Sequence, residues 1–214
     1  VYIAGGETVT GASSQFLALD LNNTAAGWKQ LAEIPQQVSH TVLMASVEQG
    51  TNTIYLCGGR NKNSNGISDL YSNVFKYDIT TNIWQKKKSL PYALSAGTGM
   101  MINANNIILF GGDKGIVFNK TEKLIAAINV EKDPVKKQEL IQKKNKLQSE
   151  HPGFSREVLL YNVKNDTWKI IGTNPFDTPV TTTAIKWESG VIIPSGEIRA
   201  GVRSPKILMV KFNK

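Results

Sequence analysis

The sequence predicts an all-β fold, a stack of small antiparallel sheets made from one repeated unit, with a single helical insert. Three observations carry this. Four apolar runs end in a pair of small residues: Gly5-Gly6, Gly58-Gly59, Gly111-Gly112 and Ser195-Gly196. Three tryptophans, Trp28, Trp84 and Trp168, are each followed seven residues later by a proline, Pro35, Pro91 and Pro175. The one irregular spacing coincides with a Lys-rich, helix-like stretch.

The last glycines of the four pairs fall at 6, 59, 112 and 196, giving spacings of 53, 53 and 84 residues. The excess of 84 − 53 = 31 residues is close to the length of the Lys-rich stretch, so one insertion explains it. Each unit opens on an apolar strand, such as Ile54-Tyr55-Leu56-Cys57 or Ile107-Ile108-Leu109-Phe110, that runs into the glycines. A second strand ends in Asp or Asn, as in "FLALD" (16–20), "VFKYD" (74–78) and "VLLYN" (158–162). A turn, the Trp strand and a proline turn complete the unit. One sheet of about four short strands cannot bury its own faces, so neighbouring units must stack. The glycines permit close backbone approach, and the tryptophans supply apolar surface between sheets.

A period near 50 with Gly-Gly and a following aromatic resembles the kelch repeat, which implies a kelch-type β-propeller. On that reading residues 1–214 form a partial propeller of about three and a half to four blades out of six. Residues 120–152 form a helical insertion in the third blade. The chain opens on Val1-Tyr2-Ile3 with neither an initiating Met nor a signal pattern, and reads as a processed or truncated piece. The remaining blades are expected from residues outside this sequence or from another chain, because an arc this short leaves apolar blade faces uncovered. Within the insert, "TEKLIAAI" (121–128) and "PVKKQELIQKKNKLQ" (134–148) read as helices, with Pro134 in a first turn. Leu124, Ile125 and Ile128 have the spacing of one apolar face. The pair either caps the propeller mouth or lies over its rim.

Composition narrows the function. No apolar run approaches the length of a membrane span. Cys57, the single cysteine, lies in an apolar strand and reads as a buried structural thiol. His40 and His151 are the only histidines, so no Cys/His cluster with metal-ligand spacing exists. The net charge is +8, and residues 120–150 contribute +3 of it through eight Lys against five acids. Mixed charge on helical sequence indicates a solvated face rather than a nucleic-acid surface, and leaves an attraction for small anions.

The repeat also places the chemistry. Glu7, Arg60, Asp113 and Glu197 each follow the last glycine of a unit, where the chain enters a loop at one end of the sheets. Loops raised by a rigid scaffold are the expected seat of function. The fourth unit is different: a β-type run, Val191-Ile192-Ile193, stops at Pro194-Ser195-Gly196 and continues "EIRAGVRSPKI". Gly201 would allow a tight turn folding Arg203 back toward Glu197. Residue chemistry alone leans toward an ion-paired surface turn, with an acid/base and carboxylate-binding pair as the other reading.

"SGEIRAGVRSPK" (195–206) resembles the "GE-x-(K/R)-P-G-(L/V)-R" segment of the bacterial N-acetylneuraminate epimerases, or sialic acid mutarotases. "GGRNKNSNG…YSNVFKYD" (58–78), "GGDKGIVFN" (111–119) and "FSREVLLYNVKNDTW" (154–168) agree in order with that family. Ala200 stands where the family has proline. The resemblance is to its circularly permuted branch, which implies missing blades ahead of Val1. It implies an isomerase that interconverts the α and β anomers of N-acetylneuraminate by acid/base-assisted ring opening, without a cofactor. Glu197 and Arg203 take the family's catalytic positions. Arg60, Asp113 and Arg199 are weaker candidates for binding the acidic sugar. A periplasmic or secreted bacterial protein is the compartment the family favours. A non-catalytic kelch propeller binding a glycan or protein, and an isomerase for another acidic sugar, are the competing readings.

Overall fold

The computed structural model describes residues 1–45 and 53–212. Four antiparallel sheets follow one another along the chain. The first consists of β1 (Tyr2–Ala4), then, after a ribbon of β2 (Glu7–Thr8) and β3 (Gly11–Ala12), β4 (Phe16–Ala18) and β5 (Lys29–Gln30). The second holds β6 (Val42–Ala45) and β7 (Thr53–Cys57). After the ribbon β8 (Arg60–Lys62) and β9 (Ser68–Leu70) it continues with β10 (Val74–Asp78) and β11 (Ile83–Lys87). The third holds β12 (Thr98–Asn103) and β13 (Asn106–Phe110), then helices α1 (Ile116–Val130) and α2 (Pro134–Ser149), then β14 (Glu157–Asn162) and β15 (Thr167–Thr173). The fourth is β16 (Ile185–Trp187), β17 (Gly190–Arg199) and β18 (Val202–Lys211). This is the blade succession of a kelch-type β-propeller.

The glycine strands of the two inner sheets, β7 and β13, are largely apolar because they are buried on both faces. In β7, Ile54 and Leu56 enter the core shared with the first sheet, with Phe16 and Val38. Tyr55 and Cys57 enter the core shared with the third sheet, with Ile107, Leu109 and Tyr161. In β13 the alternate residues Ile108 and Phe110 face Val191 and Ile193 of the fourth sheet. Cys57 is buried, and burial pushes its thiol pKa well up, as a structural thiol requires.

The tryptophans lock consecutive sheets through one repeated device. Trp84 Nε1 donates to the Ala32 carbonyl at 2.9 Å, and Trp168 Nε1 donates to the Lys88 carbonyl at 2.9 Å. Trp28 departs from the expectation of an inter-blade role. It is 44% exposed, and no other sheet of residues 1–214 packs on that side of the first sheet among the described residues.

Two local differences from the sequence reading concern the site. β17 does not stop at Pro194 but runs on to Arg199, with bulges at Pro194/Gly196 and Glu197/Arg199 absorbing the irregular residues. Helix α1 starts at Ile116, four residues ahead of the expected insert. Asp113 Oδ1 accepts from the Gly115 amide at 2.7 Å, and Gly115 takes φ +83° to enter the helix. The side chains α1 buries are Thr121 and Glu122, not Leu124, Ile125 or Ile128. α2 begins as its Asp133-Pro134 signature demands: the Asp133 carboxylate accepts from the Val135 and Lys136 amides at 2.8 and 3.1 Å.

Candidate active site

Beyond the second, third and fourth of the small-residue pairs the chain makes the same contact. A residue of the segment leading into the same sheet forms an isolated antiparallel bridge to the residue after the glycines: Ser39 to Arg60, Ser95 to Asp113, Val180 to Glu197. The bridges are two-way hydrogen bonds, 2.7 and 3.0 Å for Ser95–Asp113, 2.8 and 3.2 Å for Val180–Glu197. They hold Arg60, Asp113 and Glu197 at one end of the stack, where with Glu7 they line a single cavity of about 560 Å³. That size falls within the range of small-ligand sites.

Arg60 is the most constrained of the four, with its side chain 17% exposed. Its Nη2 reaches Glu7 Oε1 and donates to His40 Nε2, both at 3.2 Å. Its guanidinium carbon lies 4.4 Å from the Phe118 ring centroid. Its Nε is buried without a partner among the described residues. The neutral His40 that this geometry requires passes its own proton on from Nδ1 toward Ser39 Oγ, 3.1 Å away, and that hydroxyl donates to the Arg60 carbonyl at 3.1 Å. Burial lowers the His40 pKa, Arg60 adds to the effect, and Glu7 opposes it.

Glu197 lines the cavity with one oxygen committed: Oε1 accepts from the Gly201 amide at 2.7 Å. Gly201 supplies φ +73° at the β17–β18 turn, and Ala200 occupies the turn beside it. The register sets Arg203 opposite Glu197 and Arg199 opposite Val202. Both arginines have exposed side chains outside the cavity lining, and neither forms an ion pair with Glu197. The structure thus brings together Glu197, Arg60 and Asp113, and leaves Arg203 and Arg199 at the edge. Lys114, next to Asp113, is drawn away by Glu157 at 2.5 Å and by the Tyr92 ring at 3.9 Å.

Sequence reasoning missed His40, Phe118, Glu122 and His151, all of which line the cavity. His40 was accessible through the repeat, since Ala96 and Thr181 occupy the equivalent positive-φ position after Ser95 and Val180 and line the same cavity. The others come from the insert, which no repeat equivalence reaches. His151 is buried, its Nδ1 accepts from the Gly153 amide at 3.0 Å, and its ring lies 5.1 Å from Phe154. Among the described residues no group of three His, Cys, Asp or Glu has the geometry to hold a metal ion. Among the described residues no helix is long and apolar enough to cross a membrane.

Comparison with known proteins agrees with this architecture. An N-acetylneuraminate epimerase of Brucella melitensis is 27% identical over 208 residues, covering 94% of this chain and 52% of the relative. One of Salmonella typhimurium is 26% identical, covering 92% of this chain and 50% of the relative. A kelch domain-containing protein of Vibrio cholerae is 26% identical over 88% of this chain and 53% of its own length. The chain therefore spans about half the length of the curated relatives it matches. The solved structure of YjhT superposes with a TM-score of 0.73 at 18% identity, covering 98% of this chain and 62% of that one, a likeness of fold. The profile described as N-acetylneuraminate epimerase matches residues 1–214, and with the blade repeat and the "SGEIRAGVR" turn in place the chain belongs to the N-acetylneuraminate epimerase family.

Proposed function

We propose that the protein interconverts the α and β anomers of N-acetylneuraminate, with Glu197 as general acid/base. The observation that carries this reading is the cavity itself: in a chain matching this family from end to end, repeat-equivalent bridges hold a carboxylate and a guanidinium on one wall. The sugar is a cyclic hemiketal. Glu197, with Oε1 occupied by the Gly201 amide, takes the anomeric hydroxyl proton on Oε2. The bond between C2 and the ring oxygen breaks as the C2 carbonyl forms, and the ring oxygen receives the proton that Glu197 returns. Rotation about the C2–C3 bond followed by the reverse steps on the other carbonyl face gives the second anomer. Atoms and electrons balance without a cofactor.

Arg60 takes the sugar carboxylate, since its guanidinium is already placed in the cavity lining. Arg203 approaches from the facing strand and polarises the C2 oxygen by turning its exposed side chain inward on binding. Asp113 accepts from sugar hydroxyls, and Arg199 adds positive potential at the edge. The test is anomer exchange followed by NMR. Glu197→Gln is expected to slow exchange by ~10²–10⁴-fold, the usual contribution of general acid/base catalysis. Arg203→Ala is expected to slow it with less effect on sugar affinity than Arg60→Ala. Wild-type exchange in Glu197→Gln would remove the assignment.

A further inference from the structure

The cavity has two unlike walls. On the sheet side stand the charged groups Glu7, Arg60, Asp113 and Glu197. On the other side stands one face of α1, with Val117, Phe118, Thr121, Glu122 and Ile125 at helical spacing. Three of those five are apolar, and Ile125 is 42% exposed, so accessible apolar surface borders the cavity. The face is held rigidly. Glu122 is 8% exposed, and its two carboxylate oxygens accept from the Ser68 amide at 2.7 Å and the Ser68 hydroxyl at 2.8 Å. A buried carboxylate with both oxygens satisfied by one residue of β9 fixes the helix against the second blade. Phe118 lies beneath the Arg60 guanidinium, which sets the anion-binding cation at a defined place relative to this wall.

We infer that the Val117–Ile125 face of α1 is the specificity wall of the site and packs against the C5 acetamido group of the sugar. This rests on the sialic acid reading above. Apart from its carboxylate and hydroxyls, that sugar carries one apolar projection, the acetamido methyl. An anion seated at Arg60 leaves the rest of the sugar to extend along the cavity, and the α1 face offers the methyl a dry contact. A sugar with a hydroxyl at C5 would instead set a polar group against Val117 and Ile125, unpaired. Discrimination by one methyl-sized apolar contact is on the order of 10–200-fold.

The experiment compares N-acetylneuraminate with the nonulosonate that carries a hydroxyl at C5. Affinity is measured by calorimetry and anomer exchange by NMR, for the wild-type protein and for Val117→Thr/Ile125→Ser. Phe118 is left intact so that Arg60 keeps its support. Val117→Thr is nearly isosteric and Ile125 is exposed, so the variant retains the fold, as its melting curve checks. The wild type is expected to prefer the acetamido sugar by at least about tenfold. The variant is expected to lose most of that preference, with the affinity for the hydroxyl sugar holding within about threefold. Equal wild-type affinities for the two sugars, or a variant that weakens both alike, would overturn the wall. Selective binding without exchange would remove the mutarotase reading and leave the wall standing, exchange without selectivity would do the reverse, and binding of neither sugar overturns both.

Discussion

At Gly59 a methyl group would land 2.4 Å from Val38 Cγ2 and 2.7 Å from the Ser39 carbonyl, on a backbone with φ +106°. The second glycine of the pair is therefore required by the segment leading into the same sheet, whose Ser39 bridges Arg60 across this gap. Gly59→Ala is expected to cost more than about 1 kcal/mol, read as a lowered melting temperature, and to displace Arg60 from the cavity. His40 carries a pH signature of the same neighbourhood. Burial and then Arg60 depress its pKa below the usual 6.5, so between the folded value and 6.5 the unfolded chain binds more protons. The stability it contributes is complete above about pH 6.5 and is lost as pH falls through the folded value. Protonation also removes the Nε2 acceptor used by Arg60. Urea unfolding between about pH 5 and 7 should show a flatter rise of stability with pH in His40→Gln than in the wild type. An identical slope would exclude His40 as its source.

Among the elements, consecutive blades are fastened by a clamp that recurs in the second and third sheets. Tyr77 OH donates to Asn82 Oδ1 at 2.6 Å, and the same oxygen accepts from the Ala32 amide of the preceding unit at 2.8 Å. Tyr161 OH donates to Asp166 Oδ1 at 2.6 Å, which accepts from the Lys88 amide at 2.8 Å. The hydrogen bond from Tyr161 is the main cause that holds the Asp166 carboxyl below its ordinary range, while burial, followed by Asp166, pushes the Tyr161 phenol up. Asn82 and Asp166 both sit at positive φ, 57° and 51°, where Asn and Asp are tolerated. Leu19 stands where the two tyrosines stand, in the first of the described sheets. Asp166→Ala leaves a buried hydroxyl and a main-chain amide without an acceptor, so a loss of about 1–3 kcal/mol in denaturant unfolding is expected. A change within a few tenths of a kcal/mol would mean that the tryptophan and the apolar core carry the junction alone.

At the scale of the whole molecule, the stack ends on uncovered apolar faces. In the fourth sheet Val191, Ile193, Leu208 and Val210 face the third sheet, while Ile185, Trp187, Ile207 and Met209 are exposed. In the first sheet Tyr2, Ala4 and Phe16 pack inward, while Val1 and Ile3 are exposed. Residues 1–214 expressed alone are therefore expected to self-associate in sedimentation experiments, and Ile207→Lys/Met209→Lys to suppress this. Monomeric behaviour of the unsubstituted chain would show that these faces tolerate water. Much of this was legible in the sequence. The 53-residue spacing, the glycine pairs and the Trp-to-Pro intervals specify the blades, because each marker answers a local steric or packing demand met again in the second and third units. The same spacing brought Glu7, Arg60, Asp113 and Glu197 to one end, since a repeat carries equivalent residues to equivalent places. What lies outside the repeat was decided only in three dimensions. Whether Arg203 enters the cavity depends on strand register and bulges, which are set by pairing between β17 and β18 rather than by residue type. That Glu122 is a buried anchor and Phe118 the support of Arg60 depends on how the insert folds back onto the second blade, a contact across 54 residues from Glu122 to Ser68 with no local signal in the chain.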